Sequence, residues 1–287
     1  MTSSVWLITG CSSGFGAEIA KAALARGDKV IATARSVAKL EELKALGATT
    51  VELDITAGDA HVQKAVDEAL RAYGRIDILV NNAGYVVVGG IEEFSDEEAK
   101  SVFETNVFGQ LAVIRAVMPH MRAQKSGTVA NIGSVGGWKG EAGFGTYCAT
   151  KFALVGLTQG LRAEVAHLGI NVTIIEPGYF RTNLLSSGAR VSARKVIEDL
   201  RPSLDPLRNL VEGIAGQQPG DPVKGARVIV EALTGSGRCQ GRRLPERLLL
   251  GRDAVGYVKA YMDEERKGIE EWADVVSTTD HDDVVVS

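Results

Sequence analysis

Residues 9 to 16 read Thr9-Gly10-Cys11-Ser12-Ser13-Gly14-Phe15-Gly16, directly after the apolar run Val5 to Ile8 and directly before a helical stretch, Ala17 to Arg26. Glycines at a strand-to-helix turn let the backbone come close to a ligand. They aim free amides at a phosphate, and the helix N-terminus adds positive potential. The same residues also fit Gly-x-Ser-x-Gly, the nucleophile elbow of serine hydrolases, which needs the same strand-turn-helix setting. The hydrolase elbow draws part of its oxyanion hole, and the middle strands of its sheet, from chain that comes before it. Nine residues precede Gly10, so the expectation is an anion-binding turn after the first strand of a domain.

Outward from this turn, short β-branched runs alternate with helical stretches: Lys29 to Thr33, Val37 to Ala45, Thr50 to Leu53, His61 to Tyr73, Ile76 to Val80. Ser95-Asp-Glu-Glu98 carries a capping-box pattern and opens a long helix, Asp96 to Ala123. Gly127 to Ile132 and Asn171 to Ile175 read as further strands, separated by a helix from Tyr147 to His167. Strands that are nearly continuous in apolar residues are those buried on both faces, so the pattern predicts one doubly wound parallel sheet of about seven strands with helices on both sides.

After Ile175 the periodicity loosens. Residues 179 to 222 hold Pro202, Pro206, Pro219 and Pro222 amid short amphipathic pieces, Val196 to Leu200 and Leu207 to Ile214. This stretch reads as an insertion acting as a substrate lid, with Phe180, Leu184, Leu185, Leu204 and Leu210 as its apolar underside. A helix from Pro222 to Leu233 and a last strand near Leu244 to Leu250 complete a domain spanning residues 1–252. Residues 253–287 are expected to form a C-terminal helix and a tail that frays beyond about Ala273.

Composition narrows the function. The 287 residues carry a net charge of -4, and the 32 basic residues are scattered instead of gathered in a stripe, which argues against a nucleic-acid partner. Three cysteines, Cys11, Cys148 and Cys239, and four histidines lack metal-ligand spacing. No apolar run reaches the roughly 20 residues that span a bilayer. The expectation is a soluble cytoplasmic protein without metal or membrane.

Tyr147-Cys-Ala-Thr-Lys151 puts a phenol and an ammonium one helical turn apart on one face. A phenol of pKa about 10 is a poor base at neutral pH. A lysine about 5 Å away at an effective dielectric near 20 stabilises the phenolate by about 3 kcal/mol, which would bring it near 8.

The spacing Thr9-Gly-x-x-x-Gly-x-Gly16 resembles that of the short-chain dehydrogenase/reductase family. So do Asn81-Asn-Ala-Gly84, Asn106, Ser134, Tyr147-x-x-x-Lys151, Pro177-Gly178 and Thr182, which fall in the family's order across residues 5 to 182. The resemblance implies that Tyr147 is the general acid/base, that Lys151 also holds the nicotinamide ribose, that Ser134 bonds the substrate oxygen and that Asn106 orders a water in a proton relay. It further implies that Gly10, Ser12, Ser13, Gly14, Phe15, Arg35, Asp54, Asn81, Tyr147, Lys151, Phe180 and Thr182 contact the dinucleotide. Where this chain has Gly133-Ser134 the family often shows two serines, and only the second is usually catalytic.

At the end of the second strand the carboxylate that grips the ribose of NAD is absent. Ala34 takes its place, and the neighbouring Arg35 can pair a 2′-phosphate, so NADP(H) is expected, with NAD(H) possible. Trp138, Phe144, Tyr179 and Phe180 could line an apolar pocket, and a medium-sized hydrophobic ketone, aldehyde or alcohol is the expected substrate. The helices Asp96 to Ala123 and Tyr147 to His167 correspond to those by which family members form homodimers and homotetramers. Two other classes stay open at this stage: a same-fold enzyme with an isomerase, dehydratase or cyclase step, and a catalytically silent dinucleotide-binding regulator.

Overall fold

The computed structural model describes residues 3–185 and 190–281. Among the described residues, nine strands occur in chain order: β1 Val5–Ile8, β2 Lys29–Ala34, β3 Thr49–Glu52, β4 Ile78–Asn81, β5 Val87–Val88, β6 Gly127–Ile132, β7 Ile170–Pro177, β8 Val191–Ser192 and β9 Arg247–Leu250. Seven of them form one sheet, ordered β3-β2-β1-β4-β6-β7-β9, and every pairing is parallel. The chain builds outward from β1 to β3, then returns to place β4 on the other side of β1. That reversal opens a crevice at the carboxyl ends of β1 and β4.

The strand alternation sorts the core into two layers. Val5 and Leu7 point to one face, where α3 (Asp59–Tyr73) and α5 (Gln110–Gln124) bury Val62, Val66, Val113 and Val117. Trp6 and Ile8 point to the other, where α1 (Gly14–Ala25), α2 (Glu41–Ala45) and α8 (Pro222–Thr234) bury Ile19, Ala23, Leu43, Ile229 and Val230. This is the doubly wound sheet that the sequence predicts.

The predicted Asp96-to-Ala123 helix is a rod in three parts. It comprises α4 (Asp96–Phe103), π turns over Glu104–Gly109, and α5. Its capping box forms as expected: Glu98 N donates to Ser95 Oγ at 3.2 Å, and Ser95 N donates to Glu98 Oε2 at 2.9 Å. The helix carrying Tyr147 is α6, Gly145–Val165.

The proline-bearing stretch is more ordered than its sequence suggests. The first expected piece is a 3-10 turn over Glu198–Leu200, and the second, Leu207 to Ile214, is the latter part of a longer helix, α7, Arg201–Ile214. Pro202 falls in its first turn, where an amide has no helical partner to lose. Pro206 lies further in and does not stop it. The pairing of β5 with β8 was not anticipated, since two-residue strands leave no periodicity to read. The C-terminal helix, α9, spans Arg252–Val276, and so runs three residues past the expected fraying point; Ser277 N still donates to Ala273 O at 3.1 Å. The end of the tail, 282–287, lies outside the described residues. No helix among the described residues is long and apolar enough to cross a membrane.

Candidate active site

A cleft of about 1220 Å³ follows the carboxyl ends of the strands and is floored by the glycine turn. Gly10 adopts φ +69°, a left-handed conformation that disfavours side chains. A Cβ there would meet the backbone of Ala83 at 2.9 Å, so the β1 and β4 ends can touch only because Gly10 has none. Thr9 ties the same two ends: its buried Oγ1 accepts from Asn82 N at 2.9 Å and Ala83 N at 3.0 Å. Asn82 Nδ2 in turn donates to the carbonyls of Thr9 (2.9 Å) and Gly10 (3.0 Å).

Ser13 is the N-cap of α1 but makes no side-chain cap bond, and the first turn holds no acidic residue. The turn thus presents open amides and the positive helix end to the cleft, the chemistry that suits a pyrophosphate. Gly10, Ser12, Ser13, Gly14 and Phe15 all line it, and Thr182 faces Gly14 from across the cleft. Phe15 packs on Phe180, with ring centroids 4.9 Å apart.

Arg35 is exposed at the cleft edge beyond β2. Asp54 lines the cleft nearby and also caps its own loop, Oδ1 accepting from Thr56 N at 2.9 Å and Thr56 Oγ1 at 2.7 Å. Partial burial raises the pKa of this carboxyl, but the Thr56 bonds and the charges of Arg35 and His61 outweigh it and hold it below its usual range.

Ser134, Tyr147 and Lys151 converge on the cleft from the end of β6 and the first two turns of α6. Ser134 Oγ accepts from Gly136 N at 3.0 Å and interacts with the Tyr147 hydroxyl. Lys151 is 5 % exposed; its Nζ donates to Ile132 O at 2.8 Å and lies 5.7 Å from the Tyr147 ring centroid. The expectation of a phenol lowered toward 8 is corrected here. Burial raises Tyr147 above its ordinary value, the Ser134 hydroxyl only partly opposing it, and burial lowers Lys151 to about 8. Burial penalises both charged forms, and the ammonium is turned to a backbone carbonyl instead of the phenol oxygen.

Four predicted residues do not line the cleft: Asn81, Asn106, Leu204 and Trp138, whose Nε1 donates instead to Glu176 Oε2 at 2.9 Å. Asn81 is fully buried at the end of β4, where its register partner on β6 is Asn131; its Nδ2 donates to Asn131 Oδ1 at 3.0 Å. Its neighbour Asn82 reaches the glycine turn instead. Asn106, within the π turns, is also fully buried: Oδ1 accepts from Tyr85 N at 3.0 Å, while Nδ2 donates to Tyr85 O at 2.9 Å and Thr150 Oγ1 at 3.2 Å. Thr150 Oγ1 donates to Tyr147 O at 2.7 Å. The Asn106 side chain therefore braces the turn that carries Tyr147.

Cys11, beside Gly10, is a packing residue: it is 1 % exposed, and burial pushes its thiol up to about 12 despite a backbone bond with Thr33. Sequence reasoning missed Thr9 and Asn82, although both sit inside motifs it had singled out. It also missed Glu141, Asp253 and Tyr257, which line the cleft and carry no local signal.

Residues 4–190 match the family model described as short chain dehydrogenase. The chain belongs to this family. Among curated relatives, an oxidoreductase of Botryotinia fuckeliana named BOA17 is 35% identical over 257 residues, covering 88% of this chain and 90% of its own. The 3-oxoacyl-acyl-carrier-protein reductase FabG of Salmonella typhimurium is 34% identical over 229 residues, covering 79% and 86%. The crystal structure of a short-chain dehydrogenase from Streptomyces avermitilis superposes with a TM-score of 0.89 at 43% identity, covering 98% of this chain and all of that one. The protein is thus an oxidoreductase of the short-chain dehydrogenase/reductase family, and the cleft lies where that family's motifs meet.

Proposed function

We propose that the protein is an NADP(H)-preferring oxidoreductase. It interconverts a ketone or aldehyde and the corresponding alcohol on a medium-sized hydrophobic substrate, with Tyr147 as general acid/base. The observation that carries the reading is the convergence of Ser134, Tyr147 and Lys151 beside an uncapped, glycine-lined helix N-terminus in one cleft.

The residues present fit a dinucleotide. The amides of the Ser13 to Phe15 turn would hold its pyrophosphate, and the ring of Phe180 and the side chain of Thr182 would cover it. Arg35 would pair a 2′-phosphate that a carboxylate at Ala34 would repel. When bound, the nicotinamide would supply the hydride. Ser134 donates a hydrogen bond to the carbonyl oxygen and polarises it, and Tyr147 gives the phenolic proton to that oxygen as negative charge grows there. Lys151 in its charged form stabilises the phenolate left behind. Asn106 and Thr150 hold the α6 turn so that the phenol meets the substrate in a fixed direction.

The described residues between 179 and 222 serve as the lid: Leu207 and Leu210 of α7 line the cleft with Phe144 and Leu185. The protein works as a cytoplasmic homodimer or homotetramer. Three free cysteines fit a reducing compartment, and Phe108 and Phe152, 51% and 45% exposed on the rod and on α6, give the apolar contact.

Consumption of NADPH, beside NADH, against apolar aldehydes, cyclic ketones and diketones tests the reading. NADPH oxidation that Tyr147→Phe lowers by roughly a thousandfold or more supports it. Tight NADPH binding with no turnover of any carbonyl contradicts it.

A further inference from the structure

The chemistry proposed above leaves unused several charged groups at the far end of the cleft. Among the described residues, six charged side chains line it: Arg35, Asp54, Glu104, Glu141, Lys151 and Asp253. Arg35 and Asp54 follow β2 and β3, at the end given to the adenosine. Lys151 is buried, with its ammonium on Ile132 O. The charged groups left over, Glu104, Glu141 and Asp253, are all carboxylates.

Glu141 stands closest to the chemistry in the chain. It sits in the turn that opens α6, its carbonyl accepting from Phe144 N at 2.9 Å, and the Phe144 ring lies 6.3 Å from that of Tyr147. The Glu141 side chain is exposed to the cleft, and one of its oxygens accepts from the Tyr257 hydroxyl of α9 at 2.6 Å. A carboxylate has about four acceptor positions, so this one bond aims the group and leaves it free to receive another donor. The nearby cation Lys139 does not line the cleft and is bonded to Glu264 at 3.0 Å. Asp253 plays a different part: its Oδ2 accepts from Tyr179 N at 2.7 Å and braces the Gly178 turn. Phe144, Leu185, Leu207 and Leu210 add apolar surface to the same cleft.

Resting on the reductase reading, we propose that Glu141, aimed by the Tyr257 hydroxyl, selects the substrate. It favours ketones whose apolar skeleton carries a hydroxyl or ammonium donor and rejects those that carry a carboxylate or phosphate at the same place. A fixed acceptor inside a cleft rewards a donor, and a like charge brought beside it is repelled.

The test is NADPH-dependent reduction of matched compounds, a 4-oxodecanoate methyl ester against the free 4-oxodecanoate, by the intact protein and by Glu141→Gln and Tyr257→Phe. The wild type is expected to prefer the ester by about tenfold in kcat/KM, carried by KM and reduced by added salt. Glu141→Gln brings the ratio close to one. Tyr257→Phe keeps the charge but frees its direction, and lands between. A ratio that Glu141→Gln leaves unchanged overturns the selectivity while the reductase reading stands, provided that Tyr147→Phe still abolishes turnover. No NADPH consumption on either compound by a protein that reduces other carbonyls also overturns this proposal, while no consumption on any carbonyl overturns the reductase reading and this proposal with it.

Discussion

Lys151 carries the plainest conflict between stability and function. Its folded pKa of about 8 lies below the ordinary 10.5, so the fold penalises the charged form that the chemistry uses. The sign follows directly: the penalty is full below pH 8, fades as pH climbs from 8 to 10.5, and is gone above. Lys151→Met is therefore expected to stabilise the protein at pH 7 by roughly 2 kcal/mol, the relief of the buried charge exceeding the loss of the Ile132 bond. It should raise the thermal midpoint by several degrees while abolishing activity. Calorimetry at pH 7 and pH 10.5 checks this, with the gain present at the first and absent at the second. In the proposed mechanism the same group governs the rate. Tyr147 stays protonated across the neutral range, so kcat/KM for carbonyl reduction should fall as pH passes about 8, where Lys151 loses its charge, and not near 10. At the far end of the cleft, Arg35→Asp is expected to raise the KM for NADPH by about tenfold to a hundredfold and to lower that for NADH, read from cofactor titrations.

Among the elements, α7 is held by a charged latch. Glu93 is 1 % exposed; its carboxylate accepts from Gly90 N at 2.8 Å, Ile197 N at 3.0 Å and Arg208 Nη2 of α7 at 2.6 Å. Burial raises its pKa, but the two amides and Arg208 outweigh that and hold it below 4.5. The stability it contributes is thus present above pH 4.5 and lost as pH falls through the lower folded value. Glu93→Gln keeps the shape and removes the charge. Hydrogen exchange is expected to rise across 190–214 while the central strands stay protected, and KM should rise more than kcat falls. The elements also show what a sequence can reveal. The glycine turn, the capping box at Ser95 and the strands of the seven-stranded sheet from Val5 to Ile175 are local patterns, legible because each is decided within a few residues. Asn81 and Asn82 were not told apart, because only the pairing of β4 with β6 shows that Asn81 faces Asn131. Asp253 and Tyr257 were beyond reach for the same reason. Their partners, Tyr179 and Glu141, lie 74 and 116 residues away, and no periodicity marks a contact of that kind.

For the whole molecule, the order of the sheet explains why so much of the site was legible. Crossing from β3 back to β4 places the glycine turn, Asn82, Ser134, Tyr147, Lys151 and Thr182 at one rim, so a spacing recorded along the chain becomes a cleft in space. The substrate end is built by α7, the loop before α6 and the start of α9, where the chain carries no such code. Assembly belongs to this scale too. If the proposed homo-oligomer forms through this surface, Phe108→Asp with Phe152→Asp is expected to reduce it to monomers in sedimentation, an exposed charge opposing an apolar contact. The central claim is hydride transfer completed by a proton from Tyr147. It is tested most directly by supplying NADPH deuterated at the reactive carbon, with a reducible ketone, and locating the label. Deuterium on the carbinol carbon of the alcohol, formed by the wild type and not by Tyr147→Phe, is the predicted result. A product with no deuterium and no net reduction would contradict the account.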